Sequence, residues 1–241
     1  MLPEQILVVR GVGDTASLYW TASTLDGIQL CLEPGESVLY AGNCRVSQIS
    51  PKAWVLPDAT KLVVTDRRTA FLTTQFDKGG GWAGFGVVGL AVATTANVVS
   101  KRRAAERSAG KVAIGQARHE WITGITLRRV KALIGVTDVY VDLTVASSGG
   151  TRVIELWAPK LANEKFARWL VGVVSEHRMA LVRPESAEDM ATLQRYKLGG
   201  QDTAHTGKRN DLGWFFPGKT SELTDAVIAI QATASEAPDP T

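Results

Sequence analysis

Apolar and polar side chains alternate through residues 137–145. Val139, Val141, Leu143 and Val145 fall on one face, and Tyr140, Asp142 and Thr144 on the other. A period of two predicts a half-buried β-strand. Ser147-Ser148-Gly149-Gly150 predicts the turn, and residues 151–157 return as an antiparallel partner. The period then changes. Phe166, Trp169, Leu170, Val173, Val174 and His177 follow one another at helical steps, behind an Asn163 suited to capping. These residues predict an amphipathic helix packed on the preceding sheet, with Phe166 and Trp169 as its largest anchors.

Upstream, residues 36–46, 61–66, 69–76 and 120–130 carry the β-branched and aromatic content of strands. Arg67-Arg68 joins the second to the third. Pro51 and Pro57 demote residues 49–59 to a loop or a sheet edge. Residues 18–27 suit a short helix, whereas Ile28, Leu30 and Leu32 alternate like a strand. Beyond Pro184 the chain turns polar. Ser186, with Asp189 three residues on, predicts a helix start, and Gly199-Gly200 its end. The aromatic run Trp214-Phe215-Phe216-Pro217 follows, then a short helix after Thr220 or Ser221, and residues 232–241 have a disordered composition.

Composition narrows the functional classes. With 45% apolar and 21% charged residues, the 241-residue chain has ample material for a core. A net charge of +3 lacks the strong basic excess of a nucleic-acid binder, so no nucleic-acid partner is expected. Cys31 and Cys44 fit no zinc or redox spacing and are read as reduced structural thiols. The N-terminus has no secretory pattern, which makes cytoplasmic residence the expectation, with a peripheral position at the inner membrane face as its extension.

Four motifs follow one another along the chain: Pro34-Gly35-Glu36 opening a strand; Thr65-Asp66-Arg67-Arg68 closing one; Trp121-Ile122 with Ile125; and the 139–157 hairpin followed by the 163–177 helix. In this order the chain resembles bacterial pleckstrin-homology-like, or GRAM-like, domains over residues 32–181. The resemblance implies an α+β fold: a mainly antiparallel PH-like β-barrel capped by a C-terminal amphipathic helix, to which this chain is expected to add a helical Gly/Ala-rich insert. It divides the chain into an N-terminal extension (1–31), the PH-like domain (32–182) interrupted by an insert (77–118), and a C-terminal tail (183–241). It also implies a non-catalytic binding module. Many such domains bind phosphoinositides through a basic loop between the first two strands. Here residues 47–60 offer only Lys52 among cations, so that specificity is not carried over.

The insert holds the least ordinary stretch of the chain. Residues 79–100 are uncharged and rich in glycine and alanine, and Lys101-Arg102-Arg103 follows directly. About 20 residues suffice to span a bilayer. A single crossing, however, would put strands of one sheet on opposite sides of the membrane. A double crossing would bring the charges of 101–111 into hydrocarbon at a few kcal/mol each. Three readings stay open. The segment dips into a lipid interface through Trp82, Phe85, Val87, Val88 and Leu90, while Lys101, Arg102, Arg103 and Arg107 meet anionic lipid. Or it is a close-packing helix that covers the barrel or pairs with a second copy, using the small-residue spacing of Gly80 and Gly84. Or it is a mobile loop.

Nothing announces catalysis. His119, His177 and His205 share no metal-ligand spacing, no Ser/His/Asp constellation stands out, and the glycine runs fit no nucleotide-binding fingerprint. On a strand, His119 and Glu120 would point to opposite faces. No catalytic residue, metal ligand or cofactor is assigned, and the chain is not expected to be an enzyme. Arg67-Arg68 and Arg128-Arg129 are either basic rims or solubilising turns. Trp214, Phe215 and Phe216 either clip the tail onto the barrel or dock a protein partner. The expected partners are an anionic membrane surface or a protein, with a homo-oligomer as one form of the latter.

Overall fold

A computed structural model describes residues 2–11, 22–23, 29–48, 53–74, 109–131, 137–158, 163–181, 187–200, 211–225 and 228. The alternating stretch forms β10 (Thr137–Ser147), which turns into β11 (Gly150–Trp157) with Ser147 opposite Gly150. Gly150 has φ +99°, a backbone conformation that side-chain-bearing residues rarely adopt. Val141, Leu143 and Val145 point into the core, as do Ile154 and Leu156 of β11. On its other side β10 pairs with β9 (Ile122–Lys131), with a register shift between Thr144 and Val145.

The long strand β4 (Val38–Gln48) joins two halves. Its first part pairs with β6 (Thr60–Thr65), and Arg45 to Gln48 pair with β11. From β6 the sheet continues through β7 (Arg68–Thr73) to β8 (Lys111–Arg118). Two further strands come from outside the expected domain. β1 (Leu7–Gly11) pairs with β8, and β12 (Leu212–Phe215) pairs with β9. The short β5 (Trp54–Val55) flanks β4 as an edge, as its bracketing prolines predict. β2 (Ala22–Ser23) and β3 (Leu30–Cys31) form a separate pair, so Ala22 and Ser23 are extended rather than part of the expected helix.

The mainly antiparallel sheet with few helices agrees with the expected α+β class, but among the described residues the sheet does not close into a barrel. Its path runs β1-β8-β7-β6-β4-β11-β10-β9-β12. Closure would require the two end strands, β1 and β12, to pair, and no such pairing occurs among the described residues. β1 covers the outer edge of β8 from Lys111 to Gly115, and β12 covers that of β9 from Gly124 to Leu127.

Lys111–Arg118, expected within the insert, is strand β8, with every residue after Lys111 buried. Small residues give this strand a weak β signature, yet packing requires them. A Cβ at Gly115 would lie 2.0 Å from the Phe71 ring and 2.8 Å from the Ile6 carbonyl.

Helix α1 (Glu164–Leu181) begins as expected, with Asn163 Oδ1 accepting the Phe166 N–H at 2.9 Å. Phe166, Ala167, Leu170, Val171 and Val174 are buried, and the helix lies against β9 and the 3-10 turn His119–Trp121. The buried stripe is rotated from the expected one: Trp169 and Val173 sit at its margin. Tyr40 packs against both Phe166 and Trp169 there. Helix α2 (Ala187–Lys197) buries Leu193 and Tyr196, packs on α1, and ends at Gly199 with φ +82°. A last helical turn covers 220–225.

Candidate functional site

The candidate contact residues Trp82, Phe85, Val87, Leu90, Lys101, Arg102, Arg103 and Arg107 lie outside the described residues. The structure describes the frame from which they depart. β7 and β8 are hydrogen-bonded neighbours whose last paired residues toward the excursion are Thr73 and Ala113. Paired antiparallel residues stand about 5 Å apart, so the chain leaves and returns at one point on one sheet. Among the described residues no helix is long and apolar enough to cross a membrane.

The two motifs nearest the opposite end of β6 and β7 form a single interlock. Pro34-Gly35 makes a tight turn: the Glu36 N–H donates to the Glu33 carbonyl at 2.9 Å, with Gly35 at φ +72°. The turn delivers the Glu36 carboxylate to Arg68, whose Nε and Nη2 donate to its two oxygens at 2.8 Å each. Thr65 Oγ1 and the Glu33 N–H, both at 2.7 Å, complete the carboxylate's shell. The remaining Arg68 donors reach Gln116 Oε1 and the Cys31 carbonyl, each at 2.9 Å. Burial pushes the Glu36 carboxyl upward, but Arg68 and the other donors outweigh it and hold it below the usual range. Asp66 accepts the Ser37 N–H at 2.9 Å, and Arg67 reaches back to the Pro34 carbonyl and Glu33. The donors of Arg68 are thus spent inside the protein, which excludes it from any surface rim.

A second buried network adjoins the first through Glu33. Arg118 pairs with Glu33, and its Nε donates to Glu120 Oε1 at 2.6 Å. Glu120 Oε2 lies 3.0 Å from His177 Nε2 on α1. Burial alone would raise the Glu120 carboxyl; the His177 bond and the Arg118 charge overcome it and bring it down to about 2. The next α1 residue, Arg178, donates from Nη2 to the Glu120 carbonyl at 3.2 Å and from Nη1 to the Pro217 carbonyl at 2.8 Å. Its burial pulls the guanidinium down to about 10, against the opposing effect of Glu120. His119 is fully buried and meets His177 edge-on at 5.5 Å. Burial, and then the charge of His177, drive the His119 imidazole well below its ordinary range.

This cluster corrects the reading that placed His119 and Glu120 on opposite faces of a strand. They occupy a 3-10 turn, and both are buried. It also joins His119 to His177, which nothing in their spacing suggested, and recruits Glu33, Arg118 and Arg178, which carried no motif. Among the described residues no group of three His, Cys, Asp or Glu side chains is placed to hold a metal.

The other candidates are absorbed locally. Arg128 sits between Asp142 and Glu155, with its guanidinium 4.6 Å from the Tyr140 ring centroid, and Arg129 pairs with Glu164. Trp214 is fully buried with Nε1 donating to the Gly200 carbonyl at 3.0 Å, and Phe216 meets Tyr196 edge-on. Phe215, at 48% exposure, is the member of that trio left on the surface. Both cysteines are free, and burial pushes the Cys44 thiol up to about 12.

No protein-family model matches the chain, and no curated protein does. Among solved structures, the Vps36 N-terminal PH domain is similar to it at a TM-score of 0.35 and 9% identity, over 70% of this chain and 93% of that domain.

Proposed function

We propose that the chain is a non-catalytic, PH-like binding module that touches an anionic membrane surface through the excursion between β7 and β8. The observation that carries this reading is the pairing of Thr73 with Ala113. It roots an uncharged 79–100 stretch and the cations Lys101, Arg102, Arg103 and Arg107 at one point of the sheet. A segment held at both ends by one sheet can dip into an interface without separating the strands that flank it. Each cation near an anionic leaflet contributes about 1 kcal/mol, so four act only together with insertion of Trp82, Phe85, Val87 and Leu90. The interlocked Glu36–Arg68 and Glu120–Arg118 pairs support a non-catalytic role, since their polar atoms are occupied by one another.

Co-sedimentation with phosphatidylcholine vesicles, with and without phosphatidylglycerol, tests it across a salt series. The comparison protein lacks residues 79–108 and keeps β8 whole. The intact chain is expected to pellet with anionic vesicles at low salt and to release as salt rises. Absence of pelleting at low salt, or equal pelleting of the shortened chain, sinks the proposal.

One observation favours a protein-docking alternative. Phe215 is exposed on β12, and β12 ends the sheet path. Such an edge can accept another strand, from a partner or a second copy. Concentration-dependent association abolished by Phe215→Lys would support it.

A further inference from the structure

We propose that the cluster around His119 is an acid-released clasp holding the second half of α1 and the β12 tail against the sheet. The geometry makes His119 its trigger. The ring is fully buried, and neither ring nitrogen has a hydrogen-bond partner. A neutral imidazole is tolerated there; an imidazolium would bring a charge with nothing to receive it.

The neighbouring charges pull both ways: His177 and Arg118 add to the penalty, and Glu120 opposes it without a free oxygen to offer the ring. From β8 comes Arg118, and from α1 come Arg178 and the edge of His177. The one carboxylate on the same turn, Glu120, has Oε1 bonded to Arg118 and Oε2 to His177. Glu33 is engaged by Arg118 and Arg67. The Asp66 carbonyl lies close enough to favour a protonated ring weakly, but outside hydrogen-bonding geometry. The Glu120 charge and this carbonyl together are outweighed by full burial and the cations.

The same cluster is where distant elements meet. Arg178 ties α1 to the tail through Pro217 and to the 3-10 turn through Glu120, while His177 adds a second tie to Glu120. Opening this contact exposes His119 to water. The sign follows from linkage. The opened state binds the proton at the ordinary imidazole value of about 6.5, and the closed state only well below it. Closure is therefore undisturbed above that value and weakens as pH falls through it. One such proton raises the opening equilibrium about tenfold between pH 7.5 and 5.5.

Hydrogen exchange on the full chain, corrected for the intrinsic pH dependence of exchange, reads this directly. Between pH 7.5 and 5.5 the amides of the last two turns of α1 and of β12 should lose about tenfold in protection. Those of β6 and β7 should hold. In His119→Leu the loss should disappear. An equal loss in His119→Leu overturns the proposal, as does a uniform loss across all strands, which is ordinary global unfolding. Should His119→Leu fail to fold, proton NMR of the three histidines in the unaltered chain decides. A folded-state His119 that titrates near 6.5 refutes the clasp, and one that stays neutral to pH 5.5 while the α1 and β12 amides open supports it.

Discussion

Replacing Glu36 with Gln keeps the side chain's size and removes its charge from beneath Arg68. The guanidinium is 2% exposed and cannot turn to water. In the native protein it donates twice to Glu36, and Thr65 and the Glu33 N–H complete that carboxylate's shell. An amide can accept at one atom only; its NH2 would face donors. The loss is therefore that of breaking a buried ion pair from one side, about 3–5 kcal/mol. For a chain of this length it should lower Tm by about 10 °C. Urea unfolding at pH 7, followed by far-UV dichroism and tryptophan fluorescence, gives the difference if the two probes coincide. A second variant separates the pair's own value from the cost of orphaning Arg68. Glu36→Met with Arg68→Met removes both charges and should recover most of the loss, because paired buried charges barely offset their own desolvation. A Glu36→Gln cost below about 1 kcal/mol, the level of an exposed pair, would refute the reasoning. So would a double variant as unstable as the single one.

Two further outcomes test the frame. Gly115→Ala should destabilise by about 1–3 kcal/mol, since the new methyl needs space held by Phe71 and the Ile6 carbonyl; an unchanged urea midpoint would show that the ring moves freely. Asn163→Ala should cost about 1 kcal/mol through the lost cap to Phe166, with Asn163→Asp restoring it, again by urea unfolding.

Legibility in the sequence followed the range of the interactions involved. The β10–β11 hairpin, the start of α1 and the end of α2 depend on neighbours within a few residues, and period, cap and glycine announced them. β8 was hidden because its residues are small for packing reasons that lie on β7 and before β1. Pro34-Gly35-Glu36 and Thr65-Asp66-Arg67-Arg68 were visible as motifs, but their meaning was not. The carboxylate of one and the guanidinium of the other are 32 residues apart and meet only in the fold.

By itself, then, the sequence determined the strand-rich class, the helix that follows the hairpin, and the unusual chemistry of residues 79–107. Local periodicity and charge suffice for these. Tertiary structure alone decided that the sheet stays open, that Trp214 and Phe216 belong to the core, and that Arg68 serves Glu36. It also gathered His119, Glu120, His177 and Arg178 into one cluster. Each of these depends on which distant backbone edge or side chain arrives to satisfy a buried polar group. That competition is settled only when the whole chain has been packed.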